Sequence, residues 1–166
     1  YLAARHLIRT CKTQPGYLHS AYPISNFAER SSGFYKAVRA AGMSSSRSIV
    51  HKLTPSMEGA YADMMELIKN GEELAPCYFA DNDLIAVGAI KALKESGYRI
   101  PQDIGIVGFD NLPLGSVIEP ALTTIHVPKQ YMGEAAAQKL IDLLHTPGQP
   151  PTKTEVSTML VKRGTV

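Results

Sequence analysis

The chain has 166 residues, of which 45% are hydrophobic and 19% charged, and its formal net charge is +2 at pH 7. This length suffices for about one domain with a hydrophobic core, and the near-neutral charge without a cluster of Lys and Arg argues against a DNA-binding surface on this segment. Because no apolar run could span a bilayer and no signal peptide is recognisable, we expect a cytoplasmic protein with no membrane partner.

Strand-like and helix-like segments alternate from the first residue onwards. The chain begins at Tyr1 within a predicted helix, which favours a fragment of a longer protein. Hydrophobic periodicity and turn residues predict the elements of this half. They are a helix over Tyr1 to Lys12, a strand over Gly16 to Ala21, a helix capped by Ser25 or Asn26 and running to Ala41, a strand over Ser48 to Leu53 and a helix capped by Ser56.

The second half begins with a strand over Cys77 to Ala80, a helix capped by Asp81 or Asn82, and a continuous apolar strand over Ile104 to Phe109. Regular alternation of this kind predicts an α/β fold, with a parallel, doubly wound sheet flanked by helices. The pattern then changes. We predict a loop over Asn111 to Ala121, a strand in LTTIHV, a helix over Lys129 to His145, a break over Thr146 to Pro151 and a last strand over Val156 to Val161.

Four polar residues follow two strands of the predicted sheet: Asp81, Asn82, Asp83 and Asp110. The carboxyl ends of parallel strands form the edge at which open α/β sheets bind ligands. These side chains could hydrogen-bond several hydroxyl groups, as a sugar presents. The alternative is a helix cap for one of the first three and a turn for Asp110, although a charge that ends an apolar strand is costly unless paired.

Arg30 lies in the first turns of the helix that follows the first strand. From there a guanidinium can bind a carboxylate or a hydroxyl pair in the same crevice. The alternative is an ordinary surface ion pair with Glu29 or another neighbour.

Catalytic and metal signals are weak. A carboxylate pair could serve glycoside chemistry, but there is no G-x-S-x-G elbow and no histidine pair with metal-ligand spacing. Cys11 and Cys77 lie in a predicted helix and a predicted buried strand, where free thiols are expected rather than a disulfide. We therefore predict no cofactor, no metal and no enzymatic activity.

Three segments of the sequence together resemble the effector-binding domain of LacI/GalR-type transcriptional regulators. They are FADNDLIAVGAIKALKESGYRIPQDIGIVGFDNLPL, EPALTTIHVPKQYMGEAAAQKLIDLL and LVKRGT, and AERSSGF is similar to the R-x-x-G-F helix start of that family. The resemblance implies a periplasmic-binding-protein-like fold of two subdomains with the ligand between them. It covers essentially the whole chain.

On this resemblance residues 1–121 form the carboxyl-side α/β subdomain, 122–150 the crossover strand and helix of the other subdomain, and 151–166 a final strand and tail. The DNA-binding helix-turn-helix is absent from the chain. The apolar face of the Lys129 to His145 helix would then be partly uncovered, and we expect it to fold back on this subdomain or to pack against a second copy.

The resemblance also implies ligand contacts. Asp83 is expected to cap a helix rather than to bind ligand, and LTPSMEGAY lacks the aromatic residue that commonly stacks on a sugar in this family. The matching positions are Asn26, Arg30, Thr54, Ser56, Asn82, Asp110, Val127 and Lys129.

The expected function is that of the ligand-sensing and dimerising part of a bacterial regulator that binds a sugar or related metabolite. The partners implied are the small-molecule effector, a second copy through the helix from Asp83 and the loop after Asp110, and operator DNA through the missing amino-terminal domain. A periplasmic-type sugar-binding protein is the alternative, followed by a sugar hydrolase using Asp83 and Asp110.

Overall fold

The computed structural model describes residues 1–146 and 148–166. Strands and helices alternate along the chain as predicted, and all six strands form one sheet. The helices are α1 (Leu2–Cys11), α2 (Ser25–Ala40), α3 (Met57–Lys69), α4 (Asp83–Glu95), α5 (Leu114–Val117) and α6 (Lys129–His145), with a short 3₁₀ helix at Ser45–Arg47. The strands are β1 (Gly16–Ser20), β2 (Val50–Leu53), β3 (Cys77–Ala80), β4 (Gly105–Asp110), β5 (Thr123–His126) and β6 (Met159–Val161).

The six strands lie in the order β2-β1-β3-β4-β5-β6. Neighbours from β2 to β5 pair in parallel, as predicted, and β6 pairs antiparallel with β5. All five parallel strands therefore end at the same edge of the sheet, which we call the carboxyl edge. The residues that follow these strands in the sequence lie along it.

Each central strand sends successive side chains to opposite faces of the sheet, so both faces carry a core. Leu18, Tyr78 and Ile106 pack with α3 and α4 on one face. Their neighbours Tyr17 and Phe79 pack with α1 and α2 on the other face. Burial on both faces explains why these strands are continuous apolar runs rather than alternating ones.

Two of the predicted helix caps are confirmed. The Ser56 hydroxyl accepts a hydrogen bond from the Gly59 N–H at 3.1 Å, and the Asn82 side chain accepts one from the Ile85 N–H at 2.8 Å. The cap predicted at Ser25 or Asn26 is wrong: Ile24 occupies the N-cap position of α2, without a side-chain hydrogen bond. Asx and hydroxyl side chains favour caps, but local sequence alone does not fix where the first turn begins.

Differences from the predicted elements occur mainly at their ends and in the loop after β4. The strands predicted from Ser48 and Val156 begin later, at Val50 and Met159. The loop predicted over Asn111 to Ala121 contains the single-turn helix α5. Such a short helix carries too few residues for a periodic pattern to indicate it.

No described residue of α6 is buried. Leu140 and Leu144 are 59% and 73% exposed, so the helix does not fold back onto the sheet, and that half of the prediction is wrong. Packing against a second copy and the division of the chain at 121 and 150 stay predictions. Among the described residues, none of the helices combines the length and the apolar character that crossing a bilayer requires.

Candidate functional site

The carboxyl edge carries every residue that the sequence predicts to contact a ligand. Asn26 and Arg30 follow β1, Asn82 follows β3, and Asp110 ends β4. The remaining predicted contacts follow the other parallel strands: Thr54 and Ser56 come after β2, and Val127 and Lys129 after β5. The sheet topology thus gathers residues from five separate segments at one edge.

Asp81 is fully buried beneath this edge and is engaged by three protein donors. Its carboxylate accepts hydrogen bonds from the Tyr17 hydroxyl, from His19 Nδ1 at 2.6 Å and from the Ser20 N–H at 2.7 Å. Burial beside that carboxylate raises the pKa of Tyr17, so the phenol keeps its proton. Asp81 therefore holds the end of β1 to the end of β3, and its full burial keeps it from contacting a ligand directly.

Asp83, two residues further on, is also fully buried. It accepts hydrogen bonds from the Leu112 N–H at 2.7 Å and the Thr124 hydroxyl at 2.6 Å, and so ties α4 to the loop after β4 and to β5. The prediction that Asp83 caps the helix is wrong, because Asn82 is the cap. Burial raises the pKa of Asp83, and the two hydrogen bonds oppose that shift.

Arg30 links three groups at the carboxyl edge. It donates a hydrogen bond to the Asp81 carbonyl oxygen, its Nη2 lies 3.7 Å from Asp110 Oδ1, and its Cζ lies 3.9 Å from the centroid of the Phe109 ring. Its alternative partner, Glu29, forms no ion pair with it among the described contacts. Burial lowers the pKa of Arg30, and the carboxylates of Asp110 and Asp81 oppose that shift.

Asp110 differs from the two buried aspartates in exposure and in backbone conformation. Its side chain is 25% exposed and its φ is 113°, a region that residues with a Cβ rarely adopt. Strain of this size, about 1–3 kcal/mol, often marks functional positions. Burial raises the pKa of Asp110, and the cations of Arg30 and Lys129 oppose that shift. Because the contact of its carboxylate with Arg30 is as long as 3.7 Å, the oxygens keep acceptor capacity for a ligand.

Lys129 also reaches this corner, because its Nζ donates a hydrogen bond to the Asp110 carbonyl oxygen. Arg30, Asp110 and Lys129 are thus the predicted residues that the structure brings into one cluster. Others are engaged elsewhere: Ser56 and Asn82 cap helices, and Thr54 donates its N–H to Asp63 at 2.6 Å. Asn26 is exposed and Val127 is half-buried.

Sequence reasoning missed several residues that build this edge. The ring of Phe109 under Arg30 and the pairing of Tyr17 and His19 with Asp81 are examples. A third is Arg163, which donates to Asn111 Oδ1 at 2.7 Å and to the Leu122 carbonyl at 2.8 Å. Strand alternation puts Tyr17 and His19 on one face, but it does not identify their partner across the sheet.

Across residues 1–146 and 148–166, no three His, Cys, Asp or Glu side chains come together as a metal site would require. Cys11 and Cys77 are free thiols, as predicted, although Cys11 is only half-buried. The donors and acceptors at the carboxyl edge suit a ligand that offers several hydrogen-bonding groups rather than a metal ion.

Comparison with known proteins gives a consistent result. The family of periplasmic binding protein-like domains matches residues 4–166. The chain is 33% identical to the HTH-type transcriptional repressor PurR of Klebsiella pneumoniae (strain ATCC 700721 / MGH 78578) over 166 residues, all of this chain and 48% of that protein. The chain thus spans about half the length of the curated relatives it matches.

Solved structures agree with the fold. A complex of the transcriptional regulator CelR with cellobiose has a TM-score of 0.89 and 27% identity, covering 99% of this chain and 50% of that one. A LacI family transcriptional regulator from Enterococcus faecium with bound ribose has a TM-score of 0.89 and 30% identity, covering 99% and 60%. The Lac repressor bound to ONPG has a TM-score of 0.82 and 26% identity, covering 99% and 50%.

Proposed function

Because the chain belongs to the family of periplasmic binding protein-like domains, we propose that it is the ligand-sensing and dimerising part of a LacI/GalR-type bacterial transcriptional regulator. Its effector is a sugar or a related small metabolite. The relatives named as repressors and regulators support this role, and cellobiose and ribose bound to two similar regulators support the class of ligand.

The corner formed by Arg30, Asp110 and Phe109 is the observation that carries the proposal. Phe109 holds the guanidinium from one side, so the cation is positioned before a ligand arrives. The ion pair with Asp110 is loose at 3.7 Å, which leaves N–H donors and carboxylate oxygens for ligand hydroxyls. Asn26, Thr54, Ser56, Asn82, Val127 and Lys129 lie along the same edge and complete the proposed set of contacts.

In this proposal the ligand lies between the carboxyl edge and a second subdomain of a longer protein. Binding shifts the balance between two orientations of the subdomains and so changes DNA binding by an amino-terminal domain. Residues 122–150, which include α6, are part of that second subdomain in this proposal. The rest of the second subdomain covers the exposed apolar face of α6. The ligand is sensed without chemical change, and the protein works in the cytoplasm.

Dimerisation is proposed through α4 and the segment after β4. An apolar groove runs there, lined by Met57, Val87, Ile90, Leu114 and Ile118. Val117, on the same segment, is 76% exposed and contributes little to the fold. Light scattering of the full-length protein tests this proposal: Val117→Lys should yield monomers, and an unchanged dimer mass would contradict the assigned surface.

A thermal-shift screen of the full-length protein against sugars and sugar phosphates tests the proposed ligand class. A ligand that raises the melting temperature should lose its effect in Asp110→Ala, while the melting temperature without ligand changes little. Asp110→Asn is the matched variant, because Asn tolerates positive φ and keeps one acceptor oxygen. Unchanged affinity in both variants would remove Asp110 from the site.

Two alternative functions can be distinguished from this proposal. A periplasmic-type transport protein is not better supported than a regulator, since the relatives named above are repressors and regulators. A sugar hydrolase would need Asp83 as one of its pair, yet Asp83 is fully buried and engaged by two donors. Ligand-dependent melting without release of a hydrolysed product would support sensing over hydrolysis.

A further inference from the structure

Two side chains near the carboxyl end of β1, His19 and Tyr22, lie outside the cluster of Arg30, Asp110 and Lys129. His19 is the penultimate residue of β1 and its side chain is 26% exposed. Tyr22 lies two residues beyond the end of that strand and is 54% exposed. Both lie on the segment that leads into the helix of Arg30, at the same edge of the sheet.

Asp81 fixes the imidazole of His19. Since a carboxylate accepts hydrogen bonds and does not donate them, His19 Nδ1 carries the hydrogen of the 2.6 Å contact. The Tyr17 ring, with its centroid 5.0 Å from that of the imidazole, holds the ring from a second side. The orientation of the imidazole is therefore set by two buried groups before any ligand arrives.

The other ring nitrogen of His19 remains accessible. Nε2 forms no hydrogen bond among the described residues. It is not buried either, because the single buried and unpaired side-chain nitrogen or oxygen in that part of the chain is Nε2 of His6. With hydrogen on Nδ1, Nε2 accepts a hydrogen bond in the neutral imidazole and donates one in the imidazolium. The strand therefore presents a preoriented hydrogen-bonding group at the carboxyl edge.

The Tyr22 backbone is anchored through the same carboxylate. Ser20 donates its N–H to Asp81, while its hydroxyl oxygen accepts the Tyr22 N–H at 3.1 Å and the hydroxyl itself donates to the Tyr22 carbonyl at 3.3 Å. The main chain at Tyr22 is thus ordered although its ring is half in solvent. An aromatic ring on an ordered backbone binds an apolar ligand face with little loss of conformational entropy.

We propose that His19 and Tyr22 are specificity-determining contacts for one ring of a carbohydrate ligand. His19 Nε2 forms a hydrogen bond with one ring hydroxyl, which can donate or accept, and Tyr22 packs against the apolar C–H face of the same ring. Asp81 is the positioning residue for both, because it holds His19 directly and Tyr22 through Ser20. This inference rests on the proposed function, and it adds a recognition surface on β1 to the Arg30 and Asp110 corner.

Calorimetric titration of the full-length protein tests the inference. Monosaccharides and disaccharides, including ribose and cellobiose, are first screened on the wild type. The sugar that binds and its set of monodeoxy analogues are then measured on His19→Ala, Tyr22→Ala and Tyr22→Phe. His145→Ala is the matched control, because His145 is exposed at the far end of α6.

His19→Ala should weaken binding of the parent sugar about fivefold, the size expected for one neutral hydrogen bond. It should leave unchanged the affinity for the one deoxy analogue that lacks the bonded hydroxyl. Tyr22→Ala should weaken binding roughly tenfold, whereas Tyr22→Phe keeps the ring and should bind like the wild type. His145→Ala should bind every sugar as the wild type does.

Each other result counts against the inference. Wild-type affinity in both alanine variants overturns it and leaves the proposed function intact. An equal loss by His19→Ala for every deoxy analogue means a structural role only, and overturns the His19 contact. If that variant unfolds, His19→Asn replaces it, because the Asn amide can still donate to Asp81. If no sugar binds the wild type, the proposed function and this inference fail together.

Discussion

The two aspartates after β3 and the aspartate that ends β4 lie at the same sheet edge but serve opposite purposes. Asp81 and Asp83 are fully buried and are engaged by three and two protein donors respectively. Asp110 is 25% exposed, strained at φ 113° and paired only loosely with Arg30. Full burial with protein hydrogen bonds therefore separates the groups that hold the edge from the exposed group left to bind a ligand.

Gly108, within β4, shows how closely the strand packs against the Asp83 carboxylate. A Cβ at Gly108 would collide with Asp83 Oδ1 and approach Leu122 Cδ2 to 2.9 Å. The Asp110 side chain is instead 25% exposed and lies near the cations of Arg30 and Lys129. The comparison predicts that substitutions of the buried carboxylates cost stability, whereas substitutions of Asp110 cost ligand response.

The largest effect is expected for Asp81→Ala. It leaves the Tyr17 hydroxyl and the Ser20 N–H without their acceptor, and unmet buried donors should lower the free energy of unfolding by about 3 kcal/mol. Urea denaturation of the chain measures this. Tyr17→Phe, which removes one donor only, should cost about 1 kcal/mol. A loss in Asp81→Ala no larger than that in Tyr17→Phe would contradict the interpretation of Asp81 as a buried anchor for several donors.

Asp83→Ala should have the next largest effect. Two donors lose their acceptor, and the expected loss in the free energy of unfolding is about 2 kcal/mol. Because those donors come from the loop after β4 and from β5, hydrogen exchange at Leu112 should accelerate more than exchange at Leu18. Equal protection at both sites would mean that Asp83 does not hold the loop.

Asp110→Gly should behave differently from both. Glycine adopts a φ of 113° without strain but loses more entropy on folding, so the free energy of unfolding should stay within about 1 kcal/mol of the wild type. Ligand-induced stabilisation of the full-length protein should nevertheless disappear. A large loss of stability would mean that Asp110 stabilises the fold as Asp81 and Asp83 do, and would contradict the distinction between them.

The smallest effect is a pH dependence of stability. Burial raises the folded-state pKa of Asp110 above its ordinary value, so the corresponding stability is present below that ordinary value and lost as pH rises through the folded-state pKa. The wild type should therefore gain stability relative to Asp110→Asn as the pH falls from 7 towards about 4. Urea denaturation across this range measures the difference.

Asp103 provides a control of opposite sign. The Arg99 side chain and N–H lower the pKa of Asp103 to about 2, so its contribution is lost as pH falls through that value. The wild type should lose stability relative to Asp103→Asn in strong acid. If stability changed in the same direction with falling pH for both aspartates, burial as the cause at Asp110 and Arg99 as the cause at Asp103 could not both be right.

Much of the fold follows from local sequence. The strand at Cys77–Ala80 and the helix at Lys129–His145 match the predicted bounds, because turn residues and prolines delimit them sharply. The caps at Ser56 and Asn82 also follow from residue type. The start of α2 and the helix α5 do not, since a missing side-chain cap and a single turn leave no distinct pattern.

The sequence alone determined that polar residues follow successive parallel strands, because alternating strands and helices leave few other topologies. Only the tertiary structure decided which of them are buried and engaged by protein donors. The partners of Asp81 and Asp83 lie as far as 64 and 41 positions away, at Tyr17 and Thr124. Hydrogen bonds depend on distances between atoms rather than on spacing along the chain. Asp83 was therefore predicted as a helix cap but is a buried hydrogen-bond acceptor in the structure. The contact of Arg30 with the Phe109 ring was likewise visible only in the structure.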